Sequence, residues 1–158
     1  MSITMPSEIK RFVFGTKAET LRKLSDVFTH AKFCPQEVVS KAAWLNDRAG
    51  FIGRITTAFN GCKLAIRSSA QGEDGESESM AGAFTSLLNI EPTSQAIAES
   101  IDEVFSSYRA DNQDDEVLIQ PMVRDVVISG VVLTRDLDTG SPYYIVNYDD
   151  ATGRTDTV

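Results

Sequence analysis

The sequence has 158 residues, which is about the length of one domain. Hydrophobic residues make up 42% and charged residues 24% of the chain, a composition that argues against disorder and is ordinary for a globular protein. The formal net charge of −8 disfavours nonspecific binding to nucleic acid or to an anionic membrane surface.

Charge is distributed unevenly along the chain. Residues 1–67 hold 11 basic and 5 acidic side chains, a net charge of +6. Residues 68–158 hold 4 basic and 18 acidic side chains, a net charge of −14. The two parts of the chain therefore have different electrostatic roles, which the total of −8 conceals.

The start of the chain has no features of a signal peptide, because residues 1–10 are mostly polar and contain both charges. The longest apolar stretch, near residues 126–133, is interrupted by Ser129 and Gly130 and is too short to span a bilayer. The two cysteines, Cys34 and Cys62, form no CxxC motif and fit buried thiols in a reducing compartment. We therefore expect a cytoplasmic protein with no membrane partner.

Three helices are predicted before residue 60. Apolar residues at three- and four-residue spacings predict a first helix over Lys17–His30. A second helix is predicted over Pro35–Leu45, because proline is favoured in the first turn of a helix. A third helix is predicted over Asp47–Phe59, although two internal glycines weaken the pattern.

A short strand, Lys63–Arg67, is predicted to run into a polar loop over Ser68–Gly82. The next helix begins near Pro92 and has the clearest apolar periodicity, which continues to Tyr108. An acidic break over Asp111–Glu116 follows this helix.

Three strands are predicted in the last part of the chain, over Val117–Val123, Val126–Thr134 and Tyr143–Tyr148. We expect them to form an antiparallel meander. Because helices and one strand come first and this meander follows, the chain is predicted to have an α+β (mixed α/β) fold.

The residues that could bind an anion begin at the end of the Lys63–Arg67 strand. The sequence contains neither a GxxxxGK[ST] nor a GxGxxG loop. The segment Arg67–Ala70, however, places a guanidinium and three small residues where the strand opens into a loop. Backbone N–H groups and hydroxyls in such a segment can surround an anion while the guanidinium binds it in a fork. The acidic residues that follow fit a solvated loop equally well.

Four blocks of sequence, in this order, resemble the signature of the phosphoenolpyruvate synthase and pyruvate phosphate dikinase family. The first resembles its Gly-Gly-Lys-x-x-x-Leu opening, the second its Arg-Ser-Ser-Ala segment, the third its Val-x-Val-Gln-x-Met-Val strand and the fourth its Ser-Gly-Val segment. The first block is Phe14–Leu21, and the second is Arg67–Ala70 with Glu73-Asp74, Ala81-Gly82 and Leu87–Asn89. The third block is Val117–Val123, and the fourth is Ser129–Asp136 with Thr139-Gly140.

The resemblance implies that residues 1–158 are the N-terminal part of an ATP-grasp nucleotide-binding domain. It divides them into a helix-rich phosphate-binding part at 1–110 and a β-meander part at 111–158. The implied cofactors are ATP and Mg²⁺, with the metal ligands expected outside this chain. The implied partners are a missing C-terminal lobe, a phosphohistidine domain that takes the phosphoryl group, and a small-molecule acceptor such as pyruvate. This chain alone is expected to be inactive.

The resemblance also implies roles for two cations. In the family, the opening lysine and the arginine of the Arg-Ser-Ser segment hold the phosphates of ATP, and these positions correspond to Lys17 and Arg67. Arg67 is therefore the expected catalytic residue. Both cations lie in the part of the chain whose net charge is +6.

Four further residues are implied to contact the nucleotide. Gly82 would approach the phosphates with its backbone, and Ser86 supplies a hydroxyl where the family has threonine. Gln120 and Met122 lie on the strand that borders the adenine in the family. Both of these side chains also fit an ordinary core strand.

The sequence departs from the family pattern in two regions. Met80 replaces an aromatic residue, and Ala83 and Phe84 replace two glutamines. Residues 149–154 differ from the family's Gly-Leu-Gly-Glu segment. These departures indicate a divergent branch and leave two alternatives open. One is a phosphotransferase of the rifamycin phosphotransferase or glucan/water dikinase type, and the other is a degenerate nucleotide-binding module without catalysis.

Overall fold

The computed structural model describes residues 12–70, 85–108 and 112–152. The chain divides into two compact units, Met1–Met122 and Val123–Val158. The described elements, in chain order, are α1 (Lys17–Ser25), β1 (Glu37–Ser40), α2 (Lys41–Asn46), α3 (Arg48–Ala58), β2 (Leu64–Ser69), β3 (Ser86–Ile90), α4 (Ser94–Ser106), β4 (Glu116–Pro121), β5 (Ser129–Leu133) and β6 (Ile145–Asp149). The predicted α+β class is confirmed.

The first unit contains a four-stranded sheet in the order β1-β4-β2-β3, with every neighbouring pair antiparallel. One face of this sheet packs against α2, α3 and α4. The buried cluster between them consists of Val39, Trp44, Ile55, Phe59, Leu64, Ile66, Ile97, Ile101, Val104, Phe105, Val117 and Ile119. We call this side the core face.

The helix α4 confirms the strongest periodic pattern of the sequence. Thr93 caps its first turn by accepting a hydrogen bond from the backbone N–H of Ala96 at 3.3 Å. Four of its apolar residues at three- and four-residue spacings are fully or almost fully buried: Ile97, Ile101, Val104 and Phe105. A continuous apolar stripe that packs against a sheet is the main source of helix stability in a protein of this size.

The predicted second helix is wrong in its first half. Residues Glu37–Ser40 form the strand β1, which pairs with β4 from Glu37 opposite Ile119 to Ser40 opposite Glu116. The β-branched pair Val38-Val39 suits a pleated strand, and burial of Val39 at 1% exposure favours pairing over a helix. The helix α2 begins only after Ser40, whose side chain accepts a hydrogen bond from the N–H of Ala43.

The first predicted helix is shorter than expected. The helix α1 ends at Ser25 with Asp26 as its C-cap, whereas the apolar pattern predicted continuation to His30. Val27 and Phe28, which complete that pattern, are 65% and 53% exposed. Short helices are marginal in water unless an apolar face is buried, so the last turn has little to hold it.

The predicted three-stranded meander is also wrong. The strand β4 pairs with β1 and β2, and only β5 and β6 pair with each other. Val117, Leu118 and Ile119 are all fully buried, so β4 needs cover on both of its faces. The helices on the core face cover Val117 and Ile119, and the central position pairs both edges of β4 with β1 and β2.

The strand β3 was not predicted as a strand. It pairs with β2 through Leu64 opposite Ile90 and Ile66 opposite Leu87, which leaves one extra residue on β3. Asn89 has a positive φ of 60° in this bulge, a conformation that asparagine tolerates better than most residues. The bulge interrupts the two-residue alternation on which strand prediction depends.

In the second unit, β5 and β6 form an antiparallel hairpin from Ser129 opposite Asp149 to Leu133 opposite Ile145. Gly130 lies where the strands approach closely, because a Cβ at this position would stand 2.5 Å from the carbonyl oxygen of Asn147. The predicted strand positions at 126–134 and 143–148 are therefore confirmed, with shorter bounds.

Candidate functional site

The side chains of a strand alternate between the two faces of its sheet. Leu64, Ile66 and Ser68 of β2 therefore share the core face. Ala65, Arg67 and Ser69 lie on the opposite side, which we call the second face. The register extends the second face across the sheet to Val38, Ser40, Ser86, Glu116, Leu118 and Gln120.

Arg67 lies on this second face between β4 and β3, two residues before the end of β2. Its Cα partners are Leu118 on β4 and Ser86 on β3. Gln120 stands opposite Ala65, so it is the diagonal neighbour of Arg67, at about 7–8 Å. The arginine is half-buried, and the serine is exposed. Three of the predicted binding residues thus lie together on one face, although they are far apart in the sequence.

The helix α1 brings the predicted lysine, Lys17, close to Ser69 at the end of β2. The backbone N–H of Ala18 donates to Oγ of Ser69 at 3.0 Å. Oγ1 of Thr16 donates to Oε2 of Glu116 at 3.0 Å, and Glu116 is the Cα partner of Ser69. Lys17 therefore lies between two residues that are anchored beside the strand of Arg67.

Two backbone donors in the first turn of α1, the N–H groups of Ala18 and Glu19, are engaged within the protein. Thr16 and Glu19 form a capping box, in which Oγ1 of Thr16 accepts from the N–H of Glu19 and the Glu19 carboxylate accepts from the N–H of Thr16. The N–H of Ala18 is engaged by Ser69. The side chain of Lys17 carries an ammonium, which can bind an anion.

The two serines after Arg67 have structural contacts. Ser68 and Ser69 are 1% and 0% exposed. The N–H of Ser68 donates to the carbonyl oxygen of Thr85 at 3.2 Å, and the N–H of Ser69 donates to the hydroxyl of Tyr108 at 3.1 Å. These two N–H groups therefore bind neighbouring segments of the protein.

Met122 extends the ladder of β4 by one residue. Its N–H donates to the carbonyl oxygen of Lys63 at 2.8 Å, and its side chain is half-buried. Met122 lies four residues beyond Leu118, the partner of Arg67, which corresponds to about 14 Å along a strand. The second face therefore runs from two cations at one end to Gln120 and Met122 at the other.

Gly82 lies outside the described residues, as do Met80, Ala83 and Phe84. Within the described ranges, no group of three or more His, Cys, Asp or Glu side chains is arranged to hold a metal ion. Among those residues there is also no helix long and apolar enough to cross a membrane.

The residues that anchor α1 were not predicted from the sequence. Thr16 and Glu19 carry a readable signal, because threonine followed three residues later by glutamate is the pattern of a capping box. Ser69 and Gln36 carry none. Their contacts with Ala18 are made across 51 and 18 residues of chain and depend on the packing of α1 over the sheet.

Comparison with known proteins gives a family match. The chain matches the family model described as pyruvate phosphate dikinase, AMP/ATP-binding domain, over residues 16–149, which is more than half of the chain. All six predicted binding residues fall within the matched range. No curated protein matches the chain.

Proposed function

The chain belongs to the family of pyruvate phosphate dikinase AMP/ATP-binding domains, and from this premise we propose that ATP binds on the second face of its four-stranded sheet. The chain would be the ATP-binding portion of a phosphoenolpyruvate synthase-like phosphotransferase with an ATP-grasp fold. The observation that carries the proposal is the strand register, which gathers Arg67, Ser86 and Gln120 on one face with Lys17 at its end.

The phosphates of ATP would lie at the cationic end of the second face. Arg67 can bind two phosphate oxygens in a planar fork, while Lys17 supplies a compact point charge. Both side chains are half-buried, where the dielectric constant is lower than in water and a charge pair is stronger. Ser86, opposite Arg67, would add a hydroxyl donor, and Gly82 would approach with its backbone.

The base of the nucleotide would lie at the other end of the face. Gln120 carries both a donor and an acceptor, which suits the edge of an adenine ring. Met122 offers a polarizable apolar side chain that can pack against a planar ring. The separation of about 14 Å along β4 allows an extended nucleotide to contact both ends.

The reaction proposed for the intact enzyme is transfer of a phosphoryl group from ATP to a histidine of another domain and then to an acceptor such as pyruvate. Catalysis of this kind rests on positioning and on neutralising the charge of the transferred group. Arg67 and Lys17 would hold the phosphates in place and balance their charge. Mg²⁺, when bound, would neutralise further phosphate charge, with ligands expected outside this chain. We propose no turnover by this chain alone, and the cytoplasmic location stays a prediction.

A second candidate is a degenerate nucleotide-binding module without catalysis. The altered segment at residues 149–154 favours it, because ligand contacts of the family in that region would be lost. Phosphotransferases of the rifamycin phosphotransferase and glucan/water dikinase type share the same ATP-binding part. They differ in the domains that carry the acceptor.

The proposal is tested by isothermal titration calorimetry of the whole chain with ATP, with and without Mg²⁺. Replacing Arg67 by alanine is expected to weaken ATP binding about ten- to hundredfold, because a hydrogen bond to a charged group contributes about 1.5–3 kcal/mol. Arg54→Ala is the matched control. It removes the same charge from α3, where the guanidinium stacks on Phe51 at 4.0 Å, and should leave ATP affinity unchanged.

Two results separate the candidates. Absence of ATP binding by the wild-type chain, or an equal loss in the Arg67 and Arg54 variants, contradicts a nucleotide site on the second face. ATP binding by a protein that also carries the phosphohistidine and acceptor domains, without any phosphoryl transfer, supports the noncatalytic module.

A further inference from the structure

Both backbone groups of Ala18, the residue after Lys17, are held by side chains from other elements. The N–H of Ala18 donates to Oγ of Ser69, and its carbonyl oxygen accepts from Nε2 of Gln36, each at 3.0 Å. Ala18 is 2% exposed, so both bonds are shielded from water on at least one side. The peptide groups beside Lys17 are therefore fixed from two directions.

Ser69 connects this contact to the strand of Arg67. It is 0% exposed and lies two residues after Arg67 on β2. Its own N–H donates to the hydroxyl of Tyr108 at 3.1 Å, and that hydroxyl donates to the carbonyl oxygen of Glu116. The serine is thus held by β2, by its neighbour β4 and by the segment after α4, and its hydroxyl can set the position of α1.

Apolar packing gives α1 few other constraints. Ala18 is its only buried residue among those described. A methyl group cannot fix the rotation of a helix about its axis, whereas hydrogen bonds are directional. Satisfied buried polar groups add little net stability but specify one geometry. This contact is therefore better suited to orient the first turn of α1 than to stabilise the whole unit.

We propose that Ser69 and Gln36 are positioning residues that hold Lys17 at a fixed place relative to Arg67, so that both cations meet one polyphosphate. This inference rests on the proposed function. Neither side chain needs to touch the nucleotide, because each acts through the backbone of Ala18. Misplacing a binding group by a small distance is enough to lower affinity for a ligand that both cations must contact.

A double-mutant cycle measured by calorimetry with ATP tests this role in the whole chain. In the wild-type background, Ser69→Ala is expected to weaken ATP binding about three- to tenfold. In a Lys17→Ala background the same substitution should cost nothing, since no lysine remains to be positioned. A purely structural serine would give the same loss in both backgrounds, and that result would overturn the inference.

Ser68→Ala is the matched control. Ser68 is the neighbouring serine, is also almost completely buried at 1% exposure, and lies on the core face. Its removal deletes one buried hydroxyl from the same strand but leaves the contact with Ala18 intact. ATP affinity should stay within about twofold of wild type. A loss equal to that of Ser69→Ala would contradict a specific role for Ser69.

Fluorescence of the buried Trp44 shows whether the Ser69→Ala variant folds. If it does not fold, a second variant keeps the test decisive. Gln36 precedes β1 and is half-buried, so Gln36→Ala is expected to fold. The same cycle with Lys17→Ala should again show a loss only when the lysine is present. Wild-type protein that binds no ATP refutes the proposed function and this inference together. If the wild-type protein binds ATP but the losses of affinity are additive or absent, only the positioning role is refuted and the proposed function stands.

Discussion

Consecutive residues at the end of β2 have different tasks, and the sequence reveals only some of them. The resemblance in sequence predicts Arg67 as a phosphate ligand, and the register places it on the second face. Ser68 faces the core, while Ser69 holds the first turn of α1. The role of Ser69 was not predictable, because it depends on an α1 contact 51 residues away in the sequence.

The turn between β5 and β6 contains a carboxylate with a predictable pH response. Oδ1 of Asp136 accepts from the backbone N–H of Thr139 at 2.7 Å, from its hydroxyl at 2.8 Å and from the N–H of Asp138 at 3.0 Å. The bond from the Thr139 backbone, followed by that from its side chain, lowers the pKa of the Asp136 carboxyl. The contribution of this carboxylate to stability is therefore present above the unfolded-state pKa and is lost as the pH falls through the lower folded-state pKa.

Titration by carbon-detected NMR checks this assignment. In the wild-type chain the Asp136 carboxyl should titrate below the ordinary range for aspartate. Thr139→Val removes the hydroxyl donor but keeps the backbone N–H, so the pKa of Asp136 should rise part of the way back. Thr57→Val is the control, because the Thr57 hydroxyl donates to the carbonyl oxygen of Gly53 within α3. An unchanged Asp136 pKa in the Thr139 variant would show that the hydroxyl has no part in the shift.

At the scale of elements, prediction succeeded most clearly for α4, which buries one continuous apolar stripe. The helices α3 and α4 and the strand β2 were predicted near their observed positions. The strand β1 has only 4 residues and was predicted as the first half of a helix, and β3 contains a bulge that interrupts its alternation. Short segments of this kind are specified by their partners in the sheet more than by their own pattern.

One side chain connects three of the helices. Oδ1 of Asp102 on α4 accepts from the indole N–H of Trp44 on α2 at 2.8 Å, and Oδ2 pairs with Arg48 at the start of α3. Trp44 is 1% exposed, whereas the side chains of Arg48 and Asp102 are 44% and 46% exposed. The hydrogen bond to the indole is therefore expected to matter more for stability than the ion pair.

Urea unfolding followed by circular dichroism tests this ranking. Asp102→Ala leaves the indole N–H of Trp44 without its partner and should lower the free energy of unfolding by about 1–3 kcal/mol. Arg48→Ala removes an exposed ion pair and a stacking contact, with the guanidinium 4.8 Å from the ring centre of Trp44, and should cost about 1 kcal/mol or less. A greater loss in the free energy of unfolding for Arg48→Ala than for Asp102→Ala would contradict this ranking.

At the scale of the whole molecule, fold class was predictable and topology was not. The run Val117–Ile119 is apolar at every position, which is the pattern of a strand buried on both faces, yet its place in the chain suggested a meander. The five predicted binding residues that the structure describes all belong to the unit Met1–Met122. The two cations come from the part of the chain with net charge +6, so the total of −8 is a poor guide to an anionic ligand.

The central claim is that the second face of the four-stranded sheet binds ATP. A crystal structure of the whole chain with a non-hydrolysable ATP analogue tests it most directly. We expect phosphate oxygens within hydrogen-bonding distance of the Lys17 ammonium and the Arg67 guanidinium, with the base beside Gln120 and Met122. A nucleotide bound among the helices of the core face, or on the β5–β6 hairpin away from Arg67, would contradict it.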